Sequence, residues 1–330
     1  SQGLEEAIGS YTEFYLTKHS PEELKEHYYN FPKIKAKDTV ARALLRMAVI
    51  GVFEEQLKNA KEGDDRSKAE AMVKVLFNEL KAEFTPKDLT SFILVRVGDF
   101  IREKTGAPRE ALDYYTEALN RKNGGYRAEA LFGRADILGR SKAAADLEMG
   151  IKDLEEVFTI AEKKAQKDKA LYRKIELLAA KGDWSKANVE AKAYLDTKTN
   201  NFTLNKGPVT MLLAQSYEKT NQINDAIFTY ASIFTGNQRG AIQYSAPACK
   251  RWMELLWERD LAAVGTNAAD RQGAYNGGYS YVDSTRRIYD KMTQEEKEIW
   301  NAVEDLVKEY EARPGIKSFA QQKKEAEAKK

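Results

Sequence analysis

This sequence is short of the residues that usually announce chemistry. It has one cysteine, Cys249, so no internal disulfide can form. Its two histidines, His19 and His27, are separated by a Ser-Pro break and are expected on different helix faces. A metal site asks for three or four convergent ligands, and no HExxH, CxxC, phosphate-binding loop or dinucleotide-binding glycine run occurs. No cofactor and no metal is therefore expected, and the chain reads as non-enzymatic. Seven prolines in 330 residues leave room for long uninterrupted periodic segments. The longest stretch without a charge, Ala226 to Gln238, falls far below the ~20 apolar residues a bilayer requires, so no transmembrane segment is expected. Net charge is only +2, with both signs interleaved and no basic stripe, which argues against a nucleic-acid partner. The chain begins at Ser1 and shows no leader of its own, which leans the reading toward a periplasmic or secreted protein.

What is present is helical periodicity. Apolar residues recur three and four apart, and strict alternation is nearly absent. Helix starts are marked by Ser20-Pro21-Glu22-Glu23, Thr85-Pro86-Lys87-Asp88 and Thr293-Gln294-Glu295-Glu296. Stops are marked by Gly63, Gly106 and Pro314-Gly315. The spacing predicts helices at 4–18, 21–29, 38–61 and 65–84. The last two form a hairpin closed by a Gly-Asp-Asp turn. Residues 1–88 make an N-terminal helical segment, 292–315 a C-terminal capping helix and 316–330 a charged tail with five Lys against two Glu.

Between 89 and 291 the hairpins become alike. Thr210-Met211-Leu212-Leu213-Ala214-Gln215-Ser216-Tyr217 is followed by a turn at Asn221 and then Ala226-Ile227-Phe228-Thr229-Tyr230. Gly182-Asp183-Trp184 precedes Ala187, and Gly106-Ala107-Pro108 precedes Ala111 to Leu119. The small residues Ala111, Gly150, Ala187 and Ala226 lie 39, 37 and 39 apart. They belong at helix crossings, where a large side chain would hold the helices apart. A fifth hairpin is expected from Ile242, with its second helix near 283–291.

These residues resemble the tetratricopeptide repeat (TPR) pattern, and the chain is identified as a bacterial-type member of that superfamily. The family repeat is about 34 residues, so these units carry longer connections. The resemblance implies an all-α right-handed superhelix of antiparallel hairpins, with a concave face lined by the first helix of each hairpin and used to bind peptides. It implies a scaffold or adaptor, with a protein or peptide as partner. The groove positions would be Arg127, Arg134, Lys169, Tyr172, Arg173, Glu176, Met211, Gln215 and Glu218. The clustered Arg and Lys suggest a peptide with acidic or C-terminal carboxylate character. Some family members clamp a chaperone's C-terminal carboxylate; Lys169 and Arg173 match part of that set, but Val95 and Asp99 do not, and a chaperone clamp is not expected. A second candidate surface is a flexible tyrosine-rich loop, Ala274 to Tyr281, carrying Tyr275, Tyr279 and Tyr281. An α-helical enzyme, and an envelope protein contacting lipid or carbohydrate, are the alternatives.

Overall fold

The computed structural model describes residues 2–30, 38–121, 125–196, 202–236, 241–262 and 268–328. Every regular element among them is a helix. The chain divides into two compact units, Ser1–Ala161 and Glu162–Lys330. In each, helices pack on their neighbours in chain order, the arrangement of an α-solenoid. Among the described residues, no helix is long and apolar enough to cross a membrane.

The first unit holds α1 (Gln2–Leu16), α2 (Pro21–Tyr29), α3 (Thr39–Asn59), α4 (Asp64–Glu83), α5 (Ser91–Lys104), α6 (Ala111–Asn120), α7 (Arg127–Leu138) and α8 (Ala144–Ile160). Its N-terminal helices begin where the sequence predicts. Ser20 caps α2, its hydroxyl accepting from the Glu23 amide at 3.2 Å while Glu23 accepts from the Ser20 amide at 2.7 Å. Helix α3 is buried on several sides, through Ala43, Leu44, Met47, Ile50 and Phe53, because α1, α2, α4 and α5 all pack around it. A helix enclosed in this way needs apolar residues around most of its circumference. Pairs α3–α4, α5–α6 and α7–α8 are antiparallel hairpins.

In the α5–α6 hairpin, glycine sets the separation. The ring of Tyr115 lies between Gly98 and Gly133. A Cβ added at Gly133 would come within 2.2 Å of Tyr115 Cζ, and one at Gly98 within 2.9 Å. Only glycine lets α5 and α7 close on that ring. The small residues Ala111 and Gly150 are likewise buried.

The second unit holds α9 (Lys164–Lys181), α10 (Trp184–Leu195), α11 (Lys206–Lys219), α12 (Ile223–Thr235), α13 (Ile242–Ala262), α14 (Ala268–Thr285), α15 (Gln294–Glu311) and α16 (Phe319–Ala328). Helix α9 ends on Gly182 in the left-handed conformation (φ 84°), with the Asp183 amide returning to the Leu178 carbonyl at 2.9 Å. Ala187, Ala214 and Ala226 are fully buried where α10, α11 and α12 pack.

Three expectations are corrected here. The second helix of the fifth hairpin is α14, not 283–291, most of which is a 3-10 turn over Arg286–Lys291. The expected tyrosine-rich loop is the middle of α14, so it is no flexible contact loop. Tyr275 and Tyr281 are fully buried, and Tyr279 stacks on Phe319 of α16 at 4.3 Å. The glycines that suggested a loop serve close packing: a Cβ at Gly277 would strike Trp252 at 2.4 Å, and one at Gly278 would strike Met253 at 2.4 Å and Val307 at 2.9 Å. Finally, the segment read as a charged tail carries α16, tied to α14 by the Phe319 amide donating to the Tyr275 hydroxyl at 3.2 Å.

Candidate functional site

In the second unit the first helices of three successive hairpins, α9, α11 and α13, pack side by side. A cleft of about 390 Å3 opens beside α11, lined by Trp184 of α10, Met211, Gln215, Glu218 and Lys219 of α11, Tyr230 of α12, and Pro247 and Arg251 of α13. Met211, Gln215 and Glu218 are spaced four and three along α11 and so share one face. All three are half-buried.

Charge in this cleft is arranged around Arg251. Its guanidinium lies 2.9 Å from Glu218, 2.9 Å from Glu254 and 3.1 Å from Glu258. Tyr230 of α12 also donates to Glu218 at 3.1 Å. Burial first, and then Glu218, pushes the Tyr230 hydroxyl well above its ordinary range, so it stays protonated and keeps donating. Arg251 is thus met by three carboxylates, of which Glu218 lines the cleft together with Lys219.

The α9 candidates form their own cluster. Tyr172 donates to Glu176 Oε1 at 2.5 Å and Arg173 to Glu176 Oε2 at 2.6 Å. Lys169 is exposed on the same helix. Its neighbour Asp168 is almost completely buried. It accepts from Tyr194 at 2.6 Å, Asn205 Nδ2 at 2.8 Å, and the Thr203 and Leu204 amides at 3.3 and 3.2 Å. Sequence reasoning passed over Asp168, because an aspartate in a Lys-rich run reads as solvated.

Arg127 and Arg134 lie in the first unit, and both are engaged by α8. Arg127 meets Glu156 at 2.5 Å and the Leu119 carbonyl at 3.1 Å. Arg134 grips Asp153 with two bonds of 2.8 and 2.7 Å. Asp153 is buried, and burial raises its carboxyl above the ordinary range even against the pull of Arg134. Arg134 is therefore a pin between α7 and α8. Of the arginines that suggested a cationic groove, each is met by a carboxylate.

The histidines share no helix face: His19 lies in the turn before α2 and His27 within it. Helix α2 folds back on α1, so the Tyr15 ring stacks on His19 at 4.2 Å and on His27 at 4.7 Å. His19 lies 3.6 Å from Glu23. Among the described residues, no group of three or more His, Cys, Asp or Glu is placed to hold a metal ion. Cys249 is fully buried in α13. Compared with known proteins, the chain matches no family model and no curated sequence.

Proposed function

We propose that the protein is a non-enzymatic scaffold or adaptor of the TPR kind, its hairpins wound in the right-handed sense, and that its second unit binds a segment of a partner protein on the face of α9, α11 and α13. The observation that carries this reading is the cleft on α11, where Met211, Gln215 and Glu218 meet Trp184, Pro247 and Arg251. Met211, Trp184 and Pro247 offer apolar contact, Gln215 offers an amide that both donates and accepts, and Glu218, Lys219 and Arg251 supply charge of both signs. A peptide with an apolar anchor flanked by charged side chains fits this set. Concave faces of helical repeats bind extended segments in this manner.

Affinity capture tests it. The intact protein is compared with a Met211→Asp, Gln215→Arg double variant, and retained proteins are read by mass spectrometry. The reading expects one protein retained by the first and lost by the second. Equal retention by both would defeat it.

A further inference from the structure

A second opening, larger than the α11 cleft, lies in the first unit. It is a cleft of about 880 Å3 bounded by α1, α3 and α4, with Glu22 of α2 at its rim. Each bounding helix contributes a stripe at helical spacing: Gly9, Thr12, Glu13 and Leu16 from α1; Ala48, Gly51, Val52 and Glu55 from α3; Asp65, Lys68, Ala69 and Met72 from α4.

The floor is small and apolar, formed by Gly9, Ala48, Gly51, Val52 and Met72. Its glycines differ from the two that pack on Tyr115. Gly98 and Gly133 are required by Tyr115, whereas a Cβ at Gly9 or Gly51 would meet nothing within 4 Å. A glycine inside a helix costs about 0.5–1 kcal/mol relative to alanine. Among the described residues nothing would crowd a Cβ at either position, and both face the same cleft. A glycine at a helix crossing lets a second backbone approach to the 8–10 Å separation of packed helices.

The rim is acidic. Glu13, Glu22, Glu55 and Asp65 stand against Lys68, and all are exposed. Lys58 reaches Glu55 at 3.5 Å, so carboxylates still outnumber cations four to two. The size fits a helix. A helix about 10 Å across, rising 1.5 Å per residue, occupies about 120 Å3 per residue. The cleft therefore takes about seven residues, or two turns.

We propose that this cleft receives a lysine- or arginine-flanked amphipathic helix of a partner protein, laid along Gly9 and Gly51 with its cations on the acidic rim. Three helices then become four, with the apolar stripe of the incoming helix covering Leu16, Val52 and Met72. This site stands apart from the α11 cleft, and changes at Met211 and Gln215 leave it untouched.

The test uses the full chain and a fluorescent helical peptide of about 15 residues built from Leu, Ala and Lys. A second peptide carries Glu in place of each Lys. Two variants accompany the unaltered protein: Gly51→Leu, which fills the floor, and Glu55→Lys with Asp65→Lys, which reverses the rim. The proposal expects binding of the Lys peptide that weakens with salt, and none of the Glu peptide. Gly51→Leu should weaken binding about tenfold or more with an unchanged or raised melting temperature, and the reversed rim should invert the peptide preference. No binding to the unaltered protein, equal binding of both peptides, or full binding by Gly51→Leu would overturn it. So would sedimentation showing that Gly51→Leu splits a dimer, since the occupant would then be a second copy.

Discussion

The hydroxyl of Tyr194 on α10 donates to the buried carboxylate of Asp168 on α9 at 2.6 Å, and the same oxygen accepts the Asn205 amide at 3.0 Å. One phenol thus joins both helices of a hairpin to the start of α11. The device recurs: Tyr115 of α6 donates to Asp99 of α5 at 2.7 Å, and Tyr230 of α12 to Glu218 of α11 at 3.1 Å. Tyr194→Phe should destabilise the second unit by about 1.5–3 kcal/mol, because a buried carboxyl acceptor loses its shortest bond. Urea unfolding followed by hydrogen exchange in α9 to α11 measures this. A change below about 0.5 kcal/mol would show that the three remaining donors suffice.

Arg134 and Arg127 look alike in the sequence and should behave differently. Arg134→Ala strands Asp153, which is only 4% exposed. Because Arg134 itself is partly exposed, the expected loss is about 2–3 kcal/mol, less than for a wholly buried pair. Arg127→Ala breaks an exposed pair and should cost under about 1 kcal/mol. Arg134→Met with Asp153→Leu should restore most of the stability. Equal effects of the two single changes, by chemical denaturation, would contradict this account.

Acid should destabilise the protein by protonating carboxylates at three helix starts and one inside α15. Glu23 is held below the usual carboxylate range chiefly by the Ser20 amide, Asp88 by Thr85, Asp183 by Lys186 and Glu304 by Lys308. A depressed folded-state pKa means that stability is fully present above the ordinary range and is lost as pH falls through the depressed value. Buried Glu54 and Asp153 are raised, so their contributions run the opposite way, falling as pH rises through the raised values. The depressed groups are the more numerous. Urea midpoints should therefore fall between about pH 6 and pH 3, and Asp183→Asn should flatten part of the drop. Midpoints that rise on acidification would refute it.

Glycine substitutions separate packing from opening. Gly133→Ala drives a methyl into Tyr115 and should cost about 1–3 kcal/mol or more. Gly51→Ala enters open space and should stabilise by up to about 1 kcal/mol. Thermal melts of both variants check the pair, and a destabilising Gly51→Ala would mean that the α3 face is already filled.

Local signals carried well from sequence to structure. Ser20 and Glu23, and Thr293 and Glu296, form the reciprocal caps that their spacing implies, and the small residues Ala187 and Ala226 are buried at helix crossings. These features depend on neighbours within four residues or on a repeated pattern. What the sequence hid depends on distant contacts. Gly277 and Gly278 read as loop residues because Trp252, Met253 and Val307 are far away along the chain. Arg134 reads as a groove cation because Asp153 is 19 residues off. His27 reaches the Tyr15 ring only once α2 has folded onto α1. Of the candidate site, the α11 face was legible as a helical stripe. The pairing of its cation was not, since Arg251 of α13 reaches Glu218, 33 residues away along the chain.

The most direct test of the central claim is site-specific photo-crosslinking of the intact protein in its native extract. A photoreactive residue is placed at Gln215, inside the α11 cleft, or at exposed Ser232 of α12, which does not line it. The account predicts a discrete protein adduct from position 215 and none from 232. Adducts of equal yield from both positions, or from neither, would contradict a binding role for the cleft.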